Sequence, residues 1–165
     1  MEAVNASAAG DTIIVESGTY LEKLTIDKPL TLLGMGGTPV VTATENEIAV
    51  LVQADNITLA GFSFEGGPGG AIFGVSIQGN DTSLYDLDIS GYLCGLLINP
   101  AERLSMSTTA LHDNYINSYW PDISQNPKNS IDETVTMDAG RSYTGKGGCP
   151  ARRLTPPQMQ EPSSA

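Results

Sequence analysis

The chain has 165 residues, of which 40% are hydrophobic, 6% aromatic and only 16% charged. This length supports one domain with its own core, and the shortage of charged helix-forming residues favours β structure. The formal net charge is −11, and it belongs to the part up to Trp120, which holds 14 acidic and 3 basic residues. Such a surface repels phosphates, which argues against nucleic acid and anionic membranes as partners and leaves cations and neutral glycans.

The sequence carries no signal for a membrane span or a disulfide framework. No apolar stretch approaches the roughly 18 to 20 residues that a span requires. Cys94 lies in an apolar run and Cys149 in a Gly/Pro-rich segment, so the two do not look like a pair, and neither has metal-site spacing. Met1 leads directly into Glu-Ala-Val-Asn without a signal peptide. If the chain has a fold that is typical of exported proteins, we expect its N-terminus to be truncated.

Short β-type runs follow one another from residue 12 onward, separated by Gly, Asn, Asp and Pro. No 3.6-residue pattern lasts long enough for a helix after Ala9, and the Asn-Gly and Asp-Gly turns of tight hairpins are missing. The strands therefore need partners other than their immediate neighbours. The runs are Thr12–Val15, Leu24–Ile26, Leu30–Leu33, Val40–Val41, Ala49–Val52 and Ile57–Leu59.

The chain also repeats itself. The segment that begins at Ile57 matches the one at Thr82, 25 residues later, and the match recurs after a further 22 residues. A second series of strands repeats with shifts of 25 and 21. A period in this range indicates a solenoid, in which each unit buries its apolar face against its neighbours. The predicted columns are Leu59, Leu84 and Met106; Phe64, Ile89 and Leu111; and the runs 50–52, 75–77 and 96–98.

Two or three short strands per period, with no helix between them, predict an all-β, right-handed parallel β-helix of four to five coils. A leucine-rich horseshoe fits less well, and a β-sandwich with coincidental repeats is the alternative. We place the β-helix domain at residues 1–120. Residues 121–165 are rich in Pro and predicted to form an irregular, mostly disordered tail, in which 131–137 could add one more strand.

The opening Glu2-Ala-Val-Asn-Ala-Ser-Ala-Ala-Gly-Asp-Thr-Ile-Ile-Val, continuing to Gly34, resembles the first coil of β-helix proteins of the NosD-like and archaeal surface-repeat type. It is more distantly similar to pectin methylesterases. The resemblance covers roughly residues 2–117. It implies a short helix, of which Glu2 to Ala9 would be the remnant, capping the open edge of the first coil. It also implies an extracytoplasmic protein, whether secreted, periplasmic or on the cell surface, and specifies fold better than function.

Stacked coils bring distant residues together, and the first such column is Glu65, Ser90 and His112. An acid, a hydroxyl and an imidazole are the parts of a hydrolytic triad, but a triad needs the His between the other two. Here the Ser stands in the middle. We therefore interpret the column as ordinary polarity at a corner of the coil, and predict no catalytic residue in this chain.

A second column contains Asn56, Asp81 and Glu102, with Asp55 and Asn80 beside it. Asn and Asp at turns usually satisfy backbone groups and tolerate left-handed conformations. Their oxygens also suit calcium, which takes about six to eight such ligands. Asn56, Asp81 and Glu102 are thus our candidate calcium ligands, set against a purely structural ladder.

A third group, Asp86, Asp88 and Asp113 with the nearby Arg103, is a candidate surface or ligand site. Carboxylates with a basic residue resemble the working parts of calcium-dependent polysaccharide lyases, and two carboxylates could serve a glycosidase. The Asn-Thr-Asp, Gly-His-Gly and Arg-Ile-Lys motifs of β-helix glycosidases and the Gly-x-x-Asp-Phe motif of methylesterases are absent.

We therefore expect a non-enzymatic, cell-surface or secreted β-helix module that binds glycans or surface proteins and could stack through exposed coil ends. The first alternative is a fragment of a calcium-dependent lyase or another carbohydrate-active enzyme. The second is a copper-accessory role, which the NosD-like resemblance implies. Against copper, Met106 and Cys94 fall in inward columns, where soft side chains pack as core.

Overall fold

The chain is described by a computed structural model that covers residues 2–43, 48–67, 72–99, 101–120, 129–131, 134–137 and 141–144. It forms a right-handed parallel β-helix of about five turns, as the repeat predicts. The short strands form because each apolar run is followed by a Gly, Asn, Asp or Pro that bends the chain to the next side of the coil.

Strands recur in the same order in every turn. The bounds are β1 Thr12–Glu16, β2 Thr19–Leu21, β3 Leu24–Ile26, β4 Thr31–Met35, β5 Val40–Ala43, β6 Ile48–Val52, β7 Thr58–Gly66, β8 Phe73–Ile77, β9 Ser83–Ser90, β10 Cys94–Ile98, β11 Ser105–Ser107, β12 Ala110–His112, β13 Ile116–Trp120, β14 Ser130–Ile131, β15 Thr136–Met137 and β16 Arg141–Thr144. The long strands β7 and β9 each occupy the positions that two shorter strands occupy in the other turns.

Two parallel sheets result. The first sheet runs β1-β4-β7-β9-β11-β14 along one half and β2-β5-β7-β9-β12-β15 along the other. The second sheet runs β3-β6-β8-β10-β13-β16. Because every strand pairs with its counterpart one turn away, outward side chains at equivalent positions form straight columns, roughly 4.8 Å per step.

The predicted inward columns are confirmed by the strand register. Leu59 pairs with Leu84 and that residue with Met106, while Ile89 pairs with both Phe64 and Leu111. The second series aligns in the same way, as Val50 with Val75 and Leu96, and Val52 with Ile77 and Ile98. All of these side chains are buried. The interior is therefore a stack of apolar layers, one per turn.

The predicted N-terminal cap is present as helix α1, Glu2–Ala6. Its Val4 is buried against the first turn, at 4% exposure. Lys28 Nζ donates hydrogen bonds to the carbonyl oxygens of Asn5 and Ser7, at 3.4 and 3.0 Å. A cation on the last carbonyls of a helix satisfies acceptors that have no partner within it. The helix is thereby fixed over the edge that β1 would otherwise expose.

Strand pairing continues past the predicted boundary at residue 120. Strands β14, β15 and β16 pair with β11, β12 and β13, so part of the predicted irregular tail extends the coil. Short polar strands such as Ser130–Ile131 carry little pattern of their own, and they are ordered by the finished turn beneath them. Residues 145–165 of the predicted tail lie outside the described residues.

Candidate ligand-binding face

The outer face of the first sheet carries a column of hydroxyl groups, one from each turn. Register places Thr12, Thr31, Thr58, Ser83, Ser105 and Ser130 side by side. Ser105 Oγ donates a hydrogen bond to Ser83 Oγ at 3.0 Å. The hydroxyls of Thr12, Thr31 and Thr58 make no hydrogen bond within the described part of the chain. This hydroxyl column can therefore donate to and accept from a ligand along roughly 24 Å, five strand spacings.

An apolar column, Ile14, Leu33, Ala60 and Tyr85, runs beside the hydroxyl column on the same outer face. Ile14 is 60% exposed and Tyr85 is 39% exposed, whereas Ala60, which lies next to Tyr85 in the column, is buried at 4%. Tyr85 lies near the middle of the sheet, two residues after Ser83, so the two side chains point to the same side of β9. An aromatic ring beside a row of hydroxyls combines an apolar platform with directional polar groups.

The second half of this face carries a cluster of one histidine and two carboxylates. His112 Nε2 lies 2.9 Å from Asp88 Oδ1, and Nδ1 lies 2.8 Å from Asp113 Oδ2. With a carboxylate on each nitrogen, the ring is best satisfied as an imidazolium that donates both hydrogen bonds. The bonds to Asp113 and Asp88 raise the pKa of His112. The contact with Asp88 ties β12 to β9, and both ring nitrogens of His112 are engaged.

The predicted column of Glu65, Ser90 and His112 exists in the register. The imidazole contacts Asp88 and Asp113 instead of Ser90, while Glu65 Oε1 accepts a hydrogen bond of 3.4 Å from Ser63 Oγ. No chain of hydrogen bonds links the acid, the hydroxyl and the imidazole within the described residues. The interpretation of this column as corner polarity stays a prediction.

The turn before the hydroxyl column differs by one residue from the prediction. Asn56, Asp81 and Arg103 share the left-handed backbone conformation, with φ of 58, 54 and 58°. The amide of Asp81 donates to the carbonyl of Glu102, at 2.9 Å, so Arg103 is the residue aligned with Asp81. Placing Glu102 in this column was therefore wrong. In this column the spacing from Asp81 to its counterpart in the next turn is 22 residues. The corresponding spacing in the second sheet is 21 residues, which would have led to Glu102.

Glu102 belongs instead to a ladder with Asp55 and Asn80. Asp55 Oδ1 accepts from the amide of Asn80 at 2.7 Å, and Asn80 Oδ1 accepts from the amide of Glu102 at 2.8 Å. These side chains satisfy backbone donors of the next turn, which is the structural role that Asn and Asp commonly fill at bends. The candidate calcium site at Asn56, Asp81 and Glu102 stays a prediction.

Arg103 forms a two-pronged ion pair with Asp81. Its Nε and Nη2 donate to the two carboxylate oxygens at 2.5 and 2.6 Å, and Nη1 donates to Glu102 Oε2 at 3.2 Å. The guanidinium lowers the pKa of the Asp81 carboxyl. Arg103 thus serves the turn before β11, whereas Asp86 and Asp88 lie further along β9. The grouping of Arg103 with those two carboxylates, on which the lyase alternative drew, is not the arrangement observed.

A buried polar network at the other corner was not identified from the sequence. Asn114 Oδ1 accepts from the amide of Tyr92 at 2.9 Å, and Nδ2 donates to the carbonyl of Ile89 at 2.8 Å and to Asn117 Oδ1 at 3.2 Å. Tyr92 is 1% exposed and its hydroxyl has no hydrogen-bond partner within the described residues. Burial, and then the charge of Glu65, raise its pKa. In the sequence, the one indication of this network is an Asn, Asn114, directly after the bend at Asp113.

The soft side chains are divided between core and surface, with Met35 and Met137 exposed at 53% and 37%. Met106 and Cys94 are buried, as their inward columns predict. Among the described residues, no group of three or more His, Cys, Asp or Glu side chains has an arrangement that could hold a metal ion. The same residues include no helix of the length and apolarity needed to cross a bilayer.

Comparisons with known proteins support the fold. Neither a protein-family model nor a curated protein matches the sequence. A solved structure of ORF18 of Geobacillus virus E2 superposes over 89% of this chain with a TM-score of 0.66 and 14% sequence identity. This chain spans 38% of the length of that viral protein. Pectin methylesterase from Aspergillus niger superposes over 92% of this chain and 83% of its own, with a TM-score of 0.48 and 16% identity.

At these identities the likeness is one of fold alone. The parallel β-helix is shared with the viral protein, and the NosD-like resemblance remains an expectation from the opening coil.

Proposed function

We propose that this chain is a non-enzymatic β-helix module that binds a linear glycan along the outer face of its first sheet. The observation that carries the proposal is the hydroxyl column from Thr12 to Ser130, with Tyr85 exposed beside it. Sugars present alternating apolar ring faces and hydroxyl edges. An aromatic side chain packs against the former, and Ser or Thr hydroxyls exchange hydrogen bonds with the latter.

The geometry of the face suits a polymer better than a single sugar. Each described turn provides one hydroxyl of the column and only one or two neighbouring outward side chains, so a single ring would gain few contacts. Repetition over successive turns multiplies a weak contact in the same way that linked binding sites raise avidity. A module of this kind binds polymers at a cell surface or in the medium. We therefore propose a location outside the cytoplasm.

Enzymatic alternatives gain no support from the polar groups of the face. Both nitrogens of His112 are bonded to carboxylates, and Arg103 is committed to Asp81 and Glu102. Two of these contacts, His112 to Asp88 and Arg103 to Asp81, join successive turns. The proposal therefore assigns these charged clusters to cohesion of the coil and the neutral columns to ligand contact.

The test is isothermal titration with hexameric oligosaccharides of different charge and linkage, with and without Ca²⁺, on the parent chain and on Tyr85→Ala. We expect at least one hexamer to bind, and Tyr85→Ala to weaken its binding about fivefold or more, since a central aromatic contact contributes about 1 kcal/mol or more. Tyr115→Ala is the matched control. Tyr115 is exposed too, at 49%, but it precedes β13 of the second sheet.

Two outcomes would refute the proposal. One is the absence of binding to every glycan in the panel. The other is an equal loss of affinity in both tyrosine variants, which would mean that the first sheet provides no special contact. Product formation during the titration would overturn the non-enzymatic part and return attention to the lyase alternative.

A further inference from the structure

The charge of the same face narrows the class of glycan. Of the three basic residues up to Trp120, Arg103 is paired with Asp81, and Lys28 is held on the carbonyls that end α1. The third, Lys23, lies between β2 and β3, at the corner that leads away from the first sheet. The one further cation of this face is the His112 imidazolium, and it is bonded to two carboxylates, Asp88 and Asp113. The described part of the outer face therefore carries an excess of acidic groups, and a polymer of uronates would meet like charge.

One carboxylate is placed differently from the others. Asp86 follows Tyr85 directly, is exposed, and takes the left-handed conformation at φ 55° where β9 bends. Its backbone amide donates to Thr108 Oγ1 at 3.0 Å. Its carboxylate makes no hydrogen bond or ion pair to any other described residue, whereas Asp81, Asp88 and Asp113 are each engaged. Asp86 is thus a charge at the centre of the face that no described residue neutralises.

We infer that the ligand is an extended, β-linked polymer of amino sugars, lying across the turns with its rings along the hydroxyl and apolar columns. The inference rests on the proposed function. Ser83, Tyr85 and Asp86 offer a hydroxyl, a ring platform and a free carboxylate within four residues at the middle of the sheet. These are the groups that bind a sugar hydroxyl, a sugar ring and a protonated amine.

The shape of the face accounts for the linkage. The hydroxyl column is straight over roughly 24 Å because the strands stack at a fixed spacing. An extended β-linked chain advances by about one ring per turn and stays in contact along the column. A coiled α-linked chain curves away after a few rings and keeps only local contacts. Straightness and charge together therefore select an extended, amine-bearing polymer.

The experiment compares four hexamers of equal length by titration at low and high salt: β-1,4-linked glucosamine, its N-acetylated form, α-1,4-linked glucose and α-1,4-linked galacturonate. We expect the glucosamine hexamer to bind about tenfold or more tightly than the other three at low salt. The advantage over the acetylated form should shrink as salt shortens the screening length from about 10 Å at 0.1 M to about 3 Å at 1 M.

Asp86→Asn removes the charge of the free carboxylate and so measures its contribution to binding. Because Asn accepts the left-handed conformation, the variant should fold. It should weaken binding of the glucosamine hexamer about threefold or more while leaving the acetylated hexamer unchanged. Asp27→Asn is the control, with the same change of charge at an exposed corner between β3 and β4. Equal effects of the two variants would reduce the site to bulk charge and overturn the inference.

Amino-sugar selectivity and glycan binding are distinguished by different results. If the acetylated or galacturonate hexamer binds as tightly as the glucosamine hexamer, this inference is wrong and glycan binding stands. If none of the hexamers binds, the proposed function is wrong as well.

Discussion

Replacing Asn114 with alanine removes a side chain that joins two turns from inside the coil. Asn114 is 6% exposed, and its amide makes hydrogen bonds to the backbone of Tyr92 and Ile89 and to Asn117. The substitution leaves the Tyr92 amide without its acceptor in a site that water does not reach. A buried, unsatisfied donor costs about 1 to 3 kcal/mol, and the lost bond to the Ile89 carbonyl adds about 1 kcal/mol.

We therefore expect Asn114→Ala to lower the free energy of unfolding by about 2 to 4 kcal/mol. The matched control is Asn80→Ala. Asn80 Oδ1 also accepts from an amide 22 residues away, that of Glu102 at 2.8 Å, but this bond is exposed. Water can replace the lost acceptor there, so the loss should stay below about 1 kcal/mol.

Urea titration followed by far-ultraviolet circular dichroism measures both variants against the parent. The slope with urea should stay constant, since the surface exposed on unfolding does not change. Equal losses in the two variants would refute the reasoning that burial decides the value of these ladders. A loss below about 1 kcal/mol for Asn114→Ala would refute the assignment of a structural role to the buried network.

Two further predictions concern the charged cluster and the close packing of the turns. Because its two carboxylate partners raise the pKa of His112, the cluster stabilises the fold fully below the ordinary value of about 6.5 and loses this effect as the pH rises through the raised pKa. The free energy of unfolding, measured in urea, should fall by about 0.5 to 1 kcal/mol between pH 6 and pH 8.5 in the parent. It should stay nearly level in His112→Gln, because the chain has no other histidine. An equal dependence on pH in the two proteins would contradict this prediction. Gly79→Ala would drive a Cβ into the Ala54 carbonyl oxygen of the preceding turn, and thermal unfolding should show a loss of about 1 to 3 kcal/mol or more. In the control Gly18→Ala, the nearest atom to the new Cβ would be 3.6 Å away, so the free energy of unfolding should change by less than about 1 kcal/mol. A similar loss in both variants would show that the contact at Gly79 relaxes freely.

The apolar repeat of the chain is enough to predict the coil. Apolar residues that recur at the same spacing must face the same interior layer, which is why the period alone aligns Leu59, Leu84 and Met106 as the strand register has them. The acidic charge and the inward positions of Met106 and Cys94 were readable for the same reason: they depend on residue type and period alone. The N-terminal cap followed from the resemblance of the opening segment and is present as α1.

Which polar side chains contact each other depends on the three-dimensional arrangement of the turns. The lengths of successive turns differ by a residue or more, and one residue exchanges Arg103 for Glu102 in the column of Asp81. The direction of a side chain at a corner depends on its rotamer and on the bend beneath it, so His112 meets Asp88 and Asp113 rather than Ser90. The strands beyond Trp120 form on a template of backbone donors and acceptors that only the preceding turn provides. Pattern fixes which side of the coil a residue faces, while the contacts at its corners depend on bends and rotamers that no repeat encodes.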